Sequence, residues 1–416
     1  MTDDWNTRIN TRHLTKEEGG RDVLKKAFDF ELAQQIRDSG YFPYYHPIAQ
    51  NDGPEVQLNG KKIIMLGSNN YLGLTTHPEV KKAAKEAIDE FGSSLTGSRF
   101  VNGSCILHEK LEKALAQFLH KEDAVVFTTG YQANTGLLTA LINKQSCAVI
   151  DKCAHGSIYD GCAMAKGETL TFQHNDAHDL DRVLASIPQD KGPLIMVDGV
   201  YSVEGDFAQL PQLIPIAKKH QARFVVDDAH GFGVMGPGGR GTAAHFGLED
   251  DIDLLVVTFS KSLASIGGCI AGPAKVIDYI KIFGRSIIFS ASCPPASTAA
   301  ALKALEILQR EPERGQTVKR HGEYMKKHLS QMGYALGNSD SPIIPIIVGE
   351  DFNTLIIWKE LFDQGVYTNP FIFPAADKGR AVIRTSYMAT HTQEHLDRAL
   401  NIFSDLIKKY DFLKRQ

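Results

Sequence analysis

Leu254-Leu-Val-Val-Thr-Phe-Ser-Lys-Ser-Leu-Ala-Ser-Ile-Gly-Gly268 opens on an apolar run and then delivers one amine, Lys261, among hydroxyls and glycines. An apolar run this continuous reads as a strand buried on both faces, which is the pattern of a parallel sheet covered by helices. A lysine led out of such a strand loses hydration unless a partner or a carbonyl adduct compensates. The small and hydroxyl residues around it suit an oxyanion at close range, because backbone N–H and side-chain O–H groups can bond it. Taken alone, Ser-Lys after a strand is more often a solvated turn, so the meaning of Lys261 depends on what its neighbours present.

Arg223-Phe-Val-Val-Asp-Asp-Ala-His-Gly231 has the same form: its apolar residues stop at Asp227, with His230 just beyond. Similar runs stand at Ala124–Phe127, Ala148–Ile150 and Leu194–Val197. Together they predict an α/β fold with a mostly parallel central sheet. In an open α/β sheet, ligands bind in the crevice outside the carboxyl ends of the strands, where Asp227, His230 and Lys261 would all emerge. A carboxylate facing a ring nitrogen and a lysine forming an imine are the two protein groups that pyridoxal phosphate requires. Singly, Asp227 reads as a cap and His230 as a satisfied structural imidazole; beside Lys261 the pair favours a site.

Further strand ends add to the set. Phe127-Thr-Thr-Gly-Tyr-Gln-Ala-Asn134 places a glycine turn between a strand and a helix, whose first N–H groups are unsatisfied, so Gly130 and Tyr131 are candidates to hold a phosphate. Asp151-Lys-Cys-Ala-His-Gly156 brings out His155, suited to stack on a planar ring, and Asp198-Gly-Val-Tyr-Ser-Val-Glu-Gly-Asp206 brings out Ser202. Gly236-Pro-Gly-Gly-Arg-Gly241 matches G-x-G-x-x-G but does not sit between a strand and its helix, and Pro237 removes an N–H, so it carries little weight for dinucleotide binding.

Net charge is −4, which gives no support to nucleic-acid binding. No stretch is apolar enough to span a bilayer, and the acidic start, Met-Thr-Asp-Asp-Trp-Asn, lacks a signal-peptide core. The six cysteines include no C-x-x-C pair, so neither a zinc knuckle nor a disulfide framework is indicated; a cytoplasmic protein with reduced thiols and no metal is expected. The chain divides into an N-terminal arm (1–59), a large domain (60–293) and a smaller C-terminal α+β domain (294–416). The arm holds a helix-like segment, Val23 to Arg37, and the aromatic run Tyr41–Tyr45; Gln57–Leu66 reads as a hairpin turning at Asn59-Gly60. Ile343–Val348 and Ala381–Arg384 read as strands, and His395–Lys409 as a last helix. The lysines at 408, 409 and 414 with Arg415 are a solvated face, or at most a peripheral membrane contact.

Asn69-Asn-Tyr-Leu-Gly-Leu74, Thr129-Gly-Tyr-Gln-Ala-Asn134, Asp227-Asp-Ala-His-Gly231 and Thr258-Phe-Ser-Lys261 together resemble the α-oxoamine synthases, fold-type I pyridoxal-phosphate enzymes that join an amino acid to an acyl-CoA with loss of carbon dioxide. The resemblance spans nearly the whole chain beyond the first forty or so residues. It implies that Lys261 carries pyridoxal 5'-phosphate and moves the substrate's Cα proton, that Asp227 holds the ring nitrogen protonated, and that His155 stacks on the ring and helps orient the substrate. His230 and Ser202 would bond the ring's phenolic oxygen. Gly130, Tyr131, Thr258 and Ser260 would bind phosphate, with Ser290 and Ala291 supplied by the partner subunit of a homodimer. Asn70 would lie near substrate and cofactor, and Arg384, in Ile383-Arg-Thr-Ser-Tyr387, would clamp the amino-acid carboxylate.

Thr96-Gly-Ser-Arg-Phe-Val-Asn-Gly-Ser104 and Phe259–Gly268 are most similar to the branch that joins L-serine to a long-chain acyl-CoA such as palmitoyl-CoA. Val203-Glu204, where relatives often have Met-Asp, departs from that pattern. The competing readings are a sister enzyme, using glycine with acetyl-CoA or making 8-amino-7-oxononanoate, and a silent scaffold subunit, against which the presence of Lys261 argues.

Overall fold

The computed structural model describes residues 22–373 and 375–414; the acidic first residues and Arg415 fall outside these. In chain order the strands are β1 (Gln50–Asn51), β2 (Glu55–Leu58), β3 (Lys61–Met65), β4 (Asp123–Phe127), β5 (Ser146–Asp151), β6 (Glu168–Phe172), β7 (Gly192–Asp198), β8 (Arg223–Asp227), β9 (Leu254–Thr258), β10 (Gly268–Gly272), β11 (Ile343–Gly349), β12 (Val366–Tyr367), β13 (Asn369–Phe371) and β14 (Ala381–Ser386). The central sheet has the order β4-β10-β9-β8-β7-β5-β6. Strands β5 to β9 pair in parallel, and β10 lies antiparallel between β4 and β9. The mostly parallel sheet expected of the sequence is therefore present, and each of its five apolar runs is a strand.

Alternation along these strands feeds two cores. Val126, Val149, Ile195, Val197, Val226 and Val257 face one; Val125, Ile150, Met196, Val225 and Val256 face the other. Each such side chain, fully buried, contributes about 1.5–3 kcal/mol. Two strands carry no comparable run: β6 is a mostly exposed edge, and β10 reads Gly-Cys-Ile-Ala-Gly. Gly268 opens β10 because a Cβ there would meet Gly130 Cα at 2.6 Å. That close approach sets β10 against the start of the helix Gly130–Leu141.

Helix Pro295–Arg310 packs on helices Pro78–Phe91 and Ile106–Phe118 and buries Ala301, Ala304, Leu305 and Leu308 in the core of the large layer. Strands β11, β14 and β13 form an antiparallel sheet over a separate core with Trp358, Tyr387 and Phe403. Ile64 and Leu66 join that second core, because β12 pairs in parallel with β3. Packing thus crosses the 293/294 division in both directions. The β2–β3 hairpin turns at Asn59 and Gly60, with φ of 48° and 75°, as an Asn-Gly turn requires. The segment expected as one helix from Val23 to Arg37 is instead two, Lys25–Phe28 and Leu32–Asp38. The first buries no residue, and short helices without tertiary packing do not propagate. Among the described residues no helix is long and apolar enough to cross a membrane.

Candidate active site

Parallel pairing puts Asp198 of β7 level with Asp227 of β8, and Lys261 follows three residues after the end of β9. The carboxyl ends of adjacent strands therefore converge. Asp227 is buried; its Oδ2 accepts from Asn134 Nδ2 at 2.6 Å and its Oδ1 from the Ala229 N–H at 3.1 Å. Asn134 lies one turn into helix Gly130–Leu141 and also donates to Ser157 Oγ at 2.8 Å. Ser157 Oγ lies 2.7 Å from His155 Nδ1. Because that nitrogen also accepts the Ser157 N–H at 3.3 Å, the hydroxyl donates and the neutral ring keeps its proton on Nε2. Burial and the Lys261 charge hold the His155 pKa below its ordinary value, against the pull of Asp227.

His230 is buried beside this group, and burial, Lys261 and Arg384 keep its pKa well below the usual imidazole range. Its Nδ1 is 2.7 Å from Tyr71 Oη, and Tyr71 Oη accepts from Arg384 Nη2 at 3.3 Å. Since burial pushes the Tyr71 phenol up to about 12, it stays protonated and donates to His230, which leaves the His230 proton on Nε2. Lys261 is half-buried, and burial pushes its amine down to about 8, with Asp227 pulling the other way. Its amine has no hydrogen-bonding partner among the described residues.

A candidate anion cradle adjoins these groups. Gly130 starts its helix, and Thr129 caps it by accepting the Gln132 N–H at 3.0 Å. A Cβ on Gly130 would meet Thr258 Cβ at 2.9 Å, so glycine is what lets the helix start approach β9. Thr258 Oγ1 and Ser260 Oγ lie 3.0 Å apart. The Tyr131 side chain turns away to Asp160 Oδ2 at 2.8 Å, so only its backbone N–H faces an anion. Ser290 Oγ accepts from Gln132 Nε2 at 2.8 Å, and the Ala291 carbonyl accepts from Thr128 Oγ1 at 2.5 Å, so within one chain both residues already lie beside the cradle. Ser202 sits half-buried in the turn after β7, its hydroxyl without a partner among the described residues. Unsatisfied helix N–H groups, paired hydroxyls, a buried carboxylate and an unpartnered amine at one strand-end crevice fit pyridoxal phosphate.

Arg384 is 2% exposed. Its Nη2 donates to Asn69 Oδ1 at 3.0 Å, and its Nε has no partner. Asn70 is placed differently from the expectation. Its Oδ1 accepts the Leu74 and Thr75 N–H groups and its Nδ2 donates to Thr75 Oγ1, so it is spent on its own loop while Asn69 beside it reaches Arg384. Asn69, Tyr71, Asn134 and Asp198 are thus in the site without having been singled out in the sequence. The signals were present: Asn134 follows Gly130 by one helical turn, and Asn69 and Tyr71 belong to the same quoted motif as Asn70. Of the glycines in 236–241, Gly241 lies against Asp228, whose carboxylate accepts the Thr242 N–H and hydroxyl; a Cβ on Gly241 would lie 1.8 Å from Asp228 Oδ2.

A fold-type I sheet with this lysine, carboxylate and cradle at its strand ends defines a pyridoxal-phosphate enzyme. The chain belongs to the family described as aminotransferase class I and II, matched over residues 61–403, and within it to the α-oxoamine synthases, acyltransferases that use pyridoxal phosphate. It is 42% identical to a serine palmitoyltransferase of Sphingobacterium spiritivorum, over 89% of this chain and 93% of that one. An 8-amino-7-oxononanoate synthase of Bacillus velezensis is 38% identical over 92% of this chain and 99% of its own. Among solved structures, a serine palmitoyltransferase with its pyridoxal-phosphate internal aldimine superposes with a TM-score of 0.91 at 36% identity, over 94% of this chain and 99% of that one. The Sphingomonas wittichii serine palmitoyltransferase gives 0.90 at 36%, over 93% and 98%.

Proposed function

We propose that this enzyme condenses L-serine with a long-chain acyl-CoA, palmitoyl-CoA in the type case, releasing CoA and carbon dioxide and giving 3-ketodihydrosphingosine, a sphingoid-base precursor. The observation that carries the amino-acid half is Arg384, a guanidinium buried with only neutral acceptors and an unpartnered Nε. A carboxylate is the ligand its planar fork suits. Identity to serine palmitoyltransferases of 42% against 38% for an oxononanoate synthase supports the acyl half.

Bound pyridoxal phosphate supplies an electron sink that acidifies the amino acid's Cα–H and later assists loss of carbon dioxide. Around it each side chain has one task. Asp227, fixed by Asn134 and the Ala229 N–H, keeps a proton on the ring nitrogen. His230 offers its Nε2–H, and Ser202 its hydroxyl, to the ring oxygen. His155 presents its exposed ring for stacking. Gly130, Tyr131, Thr258 and Ser260 hold the phosphate, with Ser290 and Ala291 of the same chain beside them through Gln132 and Thr128, and the enzyme works as a homodimer. Lys261 Nζ, with a pKa near 8, is basic enough to take the Cα proton and acidic enough to return it at neutral pH. Arg384 orients the carboxylate with Asn69 alongside. Free thiols are consistent with the cytoplasm, where we place the protein.

The test is turnover of serine, glycine and alanine against acetyl-, octanoyl- and palmitoyl-CoA. Serine with palmitoyl-CoA should be best, with preference rising along the acyl series because each buried methylene contributes about 0.8 kcal/mol until the pocket is full. Best turnover with glycine and acetyl-CoA would move the enzyme to the sister branch.

A further inference from the structure

Beside the crevice stands a second polar cluster to which the proposed reaction gives no task. Asp151, the fully buried last residue of β5, accepts from His174 Nδ1 at 2.9 Å, from the Cys153 N–H at 2.8 Å and from the Asn175 N–H at 2.9 Å. On the other side of the ring, His174 Nε2 lies 3.0 Å from Asp206 Oδ2. Asp206 closes the turn after β7: its carbonyl accepts the Tyr201 N–H at 3.0 Å, and Val200 bridges to Phe207. Asn175 reinforces the tie by donating to Asp206 Oδ2 at 3.2 Å and to the Phe207 carbonyl at 2.9 Å. The Tyr201 ring meets the imidazole edge-on, centroids 4.4 Å apart.

Two loops are joined by this ring. One, 152–156, starts under Asp151 and carries His155; the other, 200–207, is closed by Asp206 and carries Ser202. We propose that His174 is a positioning residue, holding the His155 loop and the Ser202 turn in register through Asp151 and Asp206. The proposal rests on the roles given above to His155 and Ser202, but the tie itself exists without cofactor. Both ring nitrogens donate only if the imidazole is protonated, and its surroundings favour that. Burial opposes the charge, yet the bonds to Asp151 and Asp206 outweigh it and lift the His174 pKa to about 12. The other groups facing the ring are Cys153, Tyr201 and Glu204, whose carboxyl burial pushes up. Arg380 faces Glu204 in turn.

The experiment compares wild type, His174→Gln, Asp206→Asn and the double variant, first as apoprotein. Imidazole NMR of the wild type should show His174 protonated without a transition from about pH 6 to 9, and Asp206→Asn should bring a transition into that window. Amide exchange at 152–156 and 200–207 should accelerate about tenfold in both single variants and scarcely further in the double, as one unit behaves. Exchange in the C-terminal sheet should not change. Pyridoxal phosphate should then bind the variants about tenfold more weakly, by loss of a charge-assisted tie. If His174→Gln fails to fold, Asp206→Asn alone carries the test. His174 titrating near the ordinary imidazole value of about 6.5, or wild-type exchange in both loops, would overturn the proposal. So would tight zinc uptake lost in Cys153→Ser, since a metal rather than a proton would then join Asp151 and His174. Loops loosened with cofactor affinity unchanged would leave the tie standing and sink instead the placement of His155 and Ser202.

Discussion

Two arginines in this molecule, Arg99 half-buried and Arg384 buried, have opposite company. Arg99, in the loop after Gly97-Ser98, forms a paired contact with Glu112 at 2.7 and 3.1 Å and donates through Nε to Ser104 Oγ at 2.9 Å. Glu112 also accepts the Val126 N–H at 2.9 Å, which pins helix Ile106–Phe118 to β4. Arg384, buried more deeply, has no ion-pair partner among the described residues and leaves its Nε unpartnered. A charge that is fully neutralised and hydrogen-bonded has been used to build the fold. One buried without a counterion is, in the function proposed above, the group that receives the substrate carboxylate. The same contrast separates Lys261, whose amine has no partner, from the saturated set around Glu112.

The largest expected effect is on the unpartnered side. Lys261→Ala should lower turnover by roughly three to four orders of magnitude, the loss expected for a general base, with circular dichroism and thermal midpoint of the apoprotein unchanged or improved. An active Lys261→Ala enzyme would end the assignment of the crevice. On the partnered side, Glu112→Gln should cost about 3–5 kcal/mol of stability by leaving Arg99 uncompensated, measured by denaturant unfolding. Its serine KM, determined on the folded fraction, should stay near wild type. A raised KM with intact stability would instead make the 96–104 loop part of substrate selection.

Arg384→Ala should weaken serine binding by about ten- to a hundredfold, as loss of a charge-assisted hydrogen bond at a buried site implies, read by spectral titration of the holoenzyme. Arg384→Lys should recover only part, because an ammonium cannot make the paired contact. Stability should be the mirror image of Glu112→Gln: removing an uncompensated buried charge leaves the apoprotein as stable or more so. Destabilisation by Arg384→Ala equal to that of Glu112→Gln would erase the distinction between the two arginines.

This contrast also marks how far the sequence is readable. Apolar runs ending in Asp227 and Lys261 are local, so the sheet and its strand-end crevice follow from one-dimensional pattern. What company an arginine keeps is not local: Arg99 meets Glu112 thirteen residues away, and Arg384 meets Asn69 across 315. Hence Thr96 to Ser104 reads in sequence only as a likeness to one branch of the family, and it takes the fold to show that Gly103 is there because a Cβ would lie 1.9 Å from the Gly97 carbonyl oxygen. Asn69 and Asn70 are equivalent on paper, and only the turn of the loop decides which faces the site. β10 and β6 lacked legible runs because one is built for close approach to Gly130 and the other for an exposed edge.

The smallest effect tests the unpartnered side by pH alone. Lys261 has its amine pushed down to about 8 from an ordinary 10.5 by burial, so between those values the unfolded chain binds a proton that the folded apoprotein does not. Stability then rises with pH across that interval, because the slope follows the excess of protons on the unfolded state. Below about pH 8 both states are protonated, and the destabilisation is constant and at its full size; above about 10.5 both are neutral and it has vanished. Lys261→Met should remove this contribution, so the difference in apoprotein stability between wild type and variant should shrink as pH climbs from 8 toward 10.5. Glu112→Gln should leave the Lys261 contribution in that window as it is, since the partner it strands is Arg99, a guanidinium that keeps its proton throughout. A wild-type minus Lys261→Met difference flat from pH 7 to 10.5 would show that the amine keeps its ordinary affinity for protons, and that Lys261 is solvated as fully as a surface lysine.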